Sequence, residues 1–176
     1  YNVDPNRILL QKRLGSTGQK ELDTLLSFVL THNLRESKNI EFVKRCIDMD
    51  EYLNYLITEF YSANMDWPKN NVRKWKKIGR NGKWRWILSD LDVSMGIWNN
   101  TQPDANSISR LLDTATINTE LFRALMKNND FKNDLIQRAA LLLNTVFHEE
   151  RVKHYIDSLS GDIASEMPRH ILRWKD

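Results

Sequence analysis

Apolar residues recur at helical spacing through the first sixty positions. Leu22, Leu25, Leu26, Val29 and Leu30 follow the i, i+3, i+4, i+7 order of one buried stripe, with Gly15 and Gly18 ahead of them as breakers. Ile40, Val43, Cys46 and Ile47 mark a second helix. Leu53, Leu56, Ile57 and Phe60 mark a third, and Asp48, three residues before Glu51, has the spacing of a capping box at its start. Pro68 disfavours helix for the residue before it, so this helix ends near Asn64.

From Asn71 to Asp90 the pattern changes. Val72 to Ile78 and Lys83 to Ser89 are rich in Trp, Val and Ile, and Gly79-Arg80-Asn81-Gly82 joins them. Asn-Gly supplies the positive φ angles of tight hairpin turns, which predicts an antiparallel hairpin at about 72–89. Alternation then puts Trp84, Trp86, Leu88 and Asp90 on one side and Lys83, Arg85 and Ile87 on the other. Ahead of the hairpin nothing reads as a sheet. The segment from Asp90 to Ser109, with Gly96, Asn99, Asn100, Pro103 and Asp104, is irregular and long enough to be functional. Helical patterns return at Leu121, Leu125 and Met126, then at Leu135, Ile136, Ala139, Ala140, Leu143 and Phe147. Val152, Tyr155, Ile156 and Leu159 mark a last helix, limited by Pro168. The expected fold is α-rich (α+β), a helical bundle-like lobe around a central hairpin, in a single domain over residues 1–176.

Composition narrows the class. At 41% hydrophobic and 28% charged, 176 residues suit one globular domain and exclude a disordered or collagen-like chain. No stretch approaches the ~20 apolar residues of a membrane span. The single Cys46 excludes an internal disulfide and a Cys-based zinc site. The first residue is Tyr1 rather than Met, which suits a segment of a longer protein.

The net charge of +3 hides an asymmetry. Eight basic residues and no acidic one lie between Lys69 and Arg85. Removing those eight from 26 Lys and Arg leaves 18 against 23 Asp and Glu, a net of −5 elsewhere. Trp67, Trp75, Trp84, Trp86 and Trp98 lie in or near the same stretch. A basic, aromatic segment in an otherwise acidic chain suggests an anion or a nucleic acid, while charge alone favours a solvated hairpin with long cationic side chains.

The order of acids is more informative. Asp66 follows the third helix, Asn71 comes five residues later, and the hairpin delivers Asp90 with Asp92. Protein kinases use that succession: a catalytic Asp in a loop after a helix, a metal-binding Asn five residues on, and a Mg²⁺-holding Asp at a second loop. A carboxylate orients the attacking hydroxyl, while hard oxygen ligands hold Mg²⁺ against the phosphates. Taken singly, the same residues also fit a turn at Asp66, a strand cap at Asn71, turn acids at Asp90 and Asp92, and core positions at Trp84 and Trp86. His32, His148, His154 and His170 have no i, i+4 partner, and no Gly-x-Ser-x-Gly, Walker-type or Gly-x-Gly-x-x-Gly motif is present.

Ile47-Asp48-Met49-Asp50, the helix through Tyr55, Asn64-Met65-Asp66-Trp67-Pro68-x-Asn70-Asn71, and Gly82-Lys83-Trp84-Arg85-Trp86 leading to Asp90-x-Asp92 with Gly96 resemble the spore coat protein H (CotH) kinase family. The resemblance is specific over about fifty residues and general in the C-terminal helices. It implies an atypical, secreted-type protein kinase that moves the γ-phosphoryl of ATP to Ser or Thr hydroxyls of a protein substrate. It implies Asp66 as the catalytic Asp, Asn71 (with Asn70 the near alternative) as a metal or phosphate neighbour, Asp90 as the principal Mg²⁺ or Mn²⁺ ligand and Asp92 as the motif's second acid. Trp84 resembles the aromatic that stacks on adenine. Where the family often carries Trp before the first acid of Asp-x-Asp, this chain has Ser89. The chain is expected to be the catalytic C-lobe, partnered by its own N-terminal lobe and nearly inert without it. The family also implies a secreted, cell-surface or spore-coat location. The alternatives are a non-catalytic coat or surface assembly module, and nucleic-acid binding through the Trp-containing hairpin. Nucleic acid is disfavoured because Asp90 shares the aromatic face and repels phosphates.

Overall fold

A computed structural model describes residues 4, 7–11, 19–97 and 105–175. The chain divides into two units, residues 1–135 and 136–176. Among the described residues of the first are β1 (Ile8–Gln11), α1 (Gln19–Thr31), α2 (Ser37–Cys46), α3 (Met49–Ser62), β2 (Arg73–Lys77), β3 (Arg85–Ile87), α4 (Ser107–Asp113) and α5 (Glu120–Leu125). α6 (Asn129–Leu143) begins there, and α7 (Glu149–Ala164) and α8 (Met167–Trp174) belong to the second unit. The α-rich α+β expectation holds.

The start of α3 follows local chemistry. Asp48 caps α3, its Oδ1 accepting from the Glu51 amide at 3.4 Å, as the capping-box spacing predicts. Tyr52, Leu53, Tyr55, Leu56 and Ile57 turn inward from α3, and Leu22, Leu25, Leu26 and Val29 from α1. Leu30, the fifth member of the α1 stripe, is 60% exposed. Full burial of such side chains contributes about 1.5–3 kcal/mol each.

The sheet is larger than expected. β1 pairs antiparallel with β2 from Ile8↔Lys77 to Gln11↔Lys74, so a strand does precede the hairpin. β2 pairs antiparallel with β3 from Arg73↔Ile87 to Trp75↔Arg85. The connection is long rather than a two-residue Asn-Gly turn. Its positive φ falls on Gly79 (+123°), and the Gly82 amide closes back on the Gly79 carbonyl at 3.0 Å. Gly82 is required for space, since a Cβ there would lie 1.8 Å from the Lys77 carbonyl oxygen.

The second arm of the hairpin is bound to the α2–α3 junction. Trp84 donates its amide to the Cys46 carbonyl at 2.8 Å and accepts from the Asp48 amide at 2.9 Å. Arg85 pairs with Asp48 at 2.7 Å and lies over the Trp75 ring, 5.2 Å from its centroid. Behind this arm Trp86 packs on Tyr52, ring centroids 4.2 Å apart.

In the second unit α7 forms where Val152, Tyr155, Ile156 and Leu159 predict it, α6 stops at Leu143 short of Phe147, and no residue of α7 or α8 is buried. Pro168 sits in the first turn of α8, where its missing N–H costs no hydrogen bond, so it opens a further helix. Among the described residues no helix is long and apolar enough to cross a membrane. Gly15, Gly18, Trp98, Asn99, Asn100, Pro103 and Asp104 lie outside the described residues.

Candidate active site

α3 ends on Ala63, whose left-handed backbone (φ 49°, ψ 40°) turns the chain into the loop carrying Asp66. Trp67 anchors that loop. Its ring is 3% exposed, and its Nε1 donates to the Tyr55 hydroxyl at 2.7 Å. On the other side Arg110 of α4 donates to the Asn64 carbonyl at 2.6 Å and the Met65 carbonyl at 3.3 Å.

A second loop, carrying Asp90 and Asp92, is stapled to the first. Met65 donates its amide to the Val93 carbonyl at 3.0 Å, and Met95 to the Ser62 carbonyl at 2.8 Å. Asn64, fully buried, joins both loops through its side chain. Its Oδ1 accepts from the Asp66 amide at 3.2 Å. Its Nδ2 donates to Glu59 Oε2 at 3.0 Å and reaches the Asp90 carbonyl at 3.4 Å. One amide therefore ties a buried acid to the backbones of both acid-bearing loops.

The side chains follow. Asp66 is half-buried, and its Oδ1 accepts from Asn70 Nδ2 at 3.4 Å, while its carbonyl accepts from the Asn70 amide at 2.8 Å. Asp90 is exposed at φ 62°, so the strand alternation that placed it with Trp84 and Trp86 does not reach it. The charge of Asp92, its hydrogen bond and some desolvation hold the Asp90 carboxyl above the usual range. Arg73 opposes that push and Asp66 adds to it. Asp92, and more weakly Asp66, thus act on Asp90. Asn71 is half-buried at φ 59°, and its carbonyl accepts from Ser89 Oγ at 3.5 Å.

Ala63, Asn71, Asp90 and Met95 are the described non-glycine residues with positive φ, and all four bracket these loops. Left-handed backbone costs energy in L-residues and concentrates where geometry serves a site. A cleft of about 530 Å³ opens beside Asp66, Asn70 and Asn71 and reaches Gln11, Lys74 and Asn118. Among the described residues no three His, Cys, Asp or Glu side chains gather as a ready-made metal site.

Trp84 lies deeper than a stacking platform needs. It is 1% exposed, and the Lys76 ammonium sits over its ring, 5.7 Å from the centroid.

Glu59, Arg110 and Lys74 carried no expectation, and Asn64 had none beyond its motif. Glu59 had a legible signal: it stands at the i+3 and i+4 positions from Leu56 and Tyr55, on the buried face of α3. Burial pushes its carboxyl up to about 7, opposed by Asn64, Tyr55 and Arg110.

The two acid-bearing loops are thus joined at one buried amide in an α-rich α+β protein. The CotH kinase protein family model matches residues 7–176, and the chain belongs to that family. Membership indicates a kinase-like function. No curated protein and no solved structure matches the chain.

Proposed function

We propose that this chain carries the catalytic acids of an atypical protein kinase, transferring the γ-phosphoryl of ATP to a Ser or Thr hydroxyl of a protein. The observation that carries the reading is the joining of the Asp66 and Asp90 loops through the buried Asn64 side chain. Asp66 is the catalytic Asp. Asn70 occupies its Oδ1, which leaves Oδ2 to orient the acceptor hydroxyl and take its proton. The acceptor oxygen then bonds to the γ-phosphorus, and the bond to the leaving oxygen breaks with its electron pair passing to ADP.

Asp90, with Asp92 and Asn71, would hold Mg²⁺ or Mn²⁺. The donors suit a hard cation: all are oxygens, and the repulsion between Asp90 and Asp92 is relieved by positive charge. Two carboxylates and one amide leave positions for water and phosphate oxygens, as Mg²⁺ requires. Bound there, the ion would neutralise charge on the phosphates. Trp84 remains the candidate for the adenine by resemblance, and its burial requires the core around it to open first. The basic hairpin gives less support to nucleic-acid binding, since Lys74 is buried and Arg85 is paired with Asp48.

The test compares Asp66→Ala and Asp90→Ala in the intact protein. Asp90→Ala should weaken metal-dependent nucleotide binding and abolish transfer. Asp66→Ala should lower kcat by roughly 10²-fold or more, the usual contribution of a general base, with nucleotide affinity little changed. If both variants phosphorylate protein as fast as wild type, the assignment fails.

A further inference from the structure

Lys74 is the least expected side chain of the cleft. It sits on β2 opposite Gln11 of β1, yet it is only 6% exposed. Buried lysines normally hold a carboxylate. Among the described residues Lys74 bonds only Asn118 Oδ1, at 3.5 Å, a long contact. Asn118 is fixed in turn, its Nδ2 donating to the Pro68 carbonyl at 2.9 Å. Burial lowers the Lys74 ammonium to about 8, with no neighbouring acid holding it up.

Beside it stands a second unsatisfied group. Gln11 is 7% exposed, and its Oε1 has no hydrogen-bond partner. Both residues line the same cleft as Asp66, which also takes in Lys69 and Arg73. A desolvated ammonium short of a counter-charge and an amide short of a partner are each costly alone. The first cost falls when an anion enters, since the ammonium gains its charge partner, and Gln11, opposite Lys74 in the β1–β2 register, can present its Nε2 as a second donor to that anion.

We propose that Lys74 and Gln11 form a binding site for an anionic oxygen group, phosphate or carboxylate, in the cleft beside Asp66. Its use in catalysis rests on the kinase reading above. The group is then either a phosphate of the nucleotide or an acidic group close to the acceptor hydroxyl. Either would be held near Asp66, the residue that meets the hydroxyl.

Inorganic phosphate is titrated into the protein, followed by ³¹P line broadening and calorimetry, in wild type, Lys74→Met and Gln11→Leu. Met keeps the length of the lysine stem and removes the buried charge, so folding is not put at risk; circular dichroism checks this. Wild type should bind phosphate, Lys74→Met should lose at least tenfold in affinity, and Gln11→Leu should lose less. Kinetics then assign the source. A rise confined to the KM of ATP identifies the nucleotide phosphate, and a rise confined to the KM of a Ser peptide flanked by Glu, absent with a neutral peptide, identifies an acidic acceptor. Phosphate that fails to bind wild type at millimolar concentration, or binds folded Lys74→Met equally well, overturns the site. Phosphate binding that depends on Lys74 in a protein that transfers nothing would keep the site and remove the kinase reading.

Discussion

Glu59→Gln isolates the buried acid beneath the two loops. Glu59 is 0% exposed, its Oε1 has no bonded partner, and its Oε2 accepts from Asn64. Its carboxyl stands at about 7 in the folded chain against an ordinary 4.5. Between those values the folded state keeps a proton that the unfolded chain has released. Stability is therefore fully present below pH 4.5, falls as the pH rises towards 7, and levels off above it. At about 1.4 kcal/mol per tenfold in proton affinity, the loss across that window is about 3 kcal/mol.

Gln keeps an oxygen for Asn64 Nδ2 and cannot ionise. The variant should match wild type near pH 4.5 and exceed it by about 3 kcal/mol at pH 8, or about 10 °C in Tm. Denaturant titrations read by Trp fluorescence, from pH 4.5 to 8.5, measure this directly, since Trp67, Trp84 and Trp86 are all buried. Asp90 also stands above its usual range, but it is present in both proteins and cancels in the difference. A gap between variant and wild type that is equal at pH 5 and pH 8 would refute the reasoning.

Asn64→Ala removes the amide joining Glu59 to both loops, leaving the Asp66 N–H and Glu59 without that partner. It should cost about 2–3 kcal/mol in denaturation and lower kcat at least tenfold, with rescue by no other small side chain. Asp48→Ala removes a helix cap and a partly buried ion pair with Arg85 together. It should cost about 1–2 kcal/mol, and added salt should lower the wild type towards the variant without closing the gap, because the cap is not screened.

What was legible in the chain is what is local. The α3 stripe, the Asp48 cap and the order of the two acid loops are each written within a few residues, and each formed. β1 was hidden because Ile8-Leu9-Leu10-Gln11 has no alternation and becomes a strand only by pairing with β2, more than sixty residues on. The alternation running from Trp84 to Asp90 failed for a related reason. The strand ends at Ile87 and Leu88 is already exposed, and period-two patterning carries no sign of where strand pairing stops. Lys74 reads as one of eight basic residues on a hairpin, whereas in the fold it stands opposite Gln11 of β1 and bonds Asn118. Its chemistry therefore depends on contacts between distant segments.

The candidate site nonetheless leaves one local mark. A carboxylate at position 59, in phase with Tyr52, Tyr55 and Leu56, contradicts the apolar face on which it stands. A helix stabilised only by packing would lose nothing by exchanging that acid for Leu, and burying it costs several kcal/mol unless it is protonated or bonded. The bond from Asn64, which also reaches the backbones of Asp66 and Asp90, offsets part of that cost, and the raised proton affinity of the carboxyl shows the rest. Where the period of a helix and the chemistry of one of its residues disagree, the disagreement itself locates the loops that residue supports.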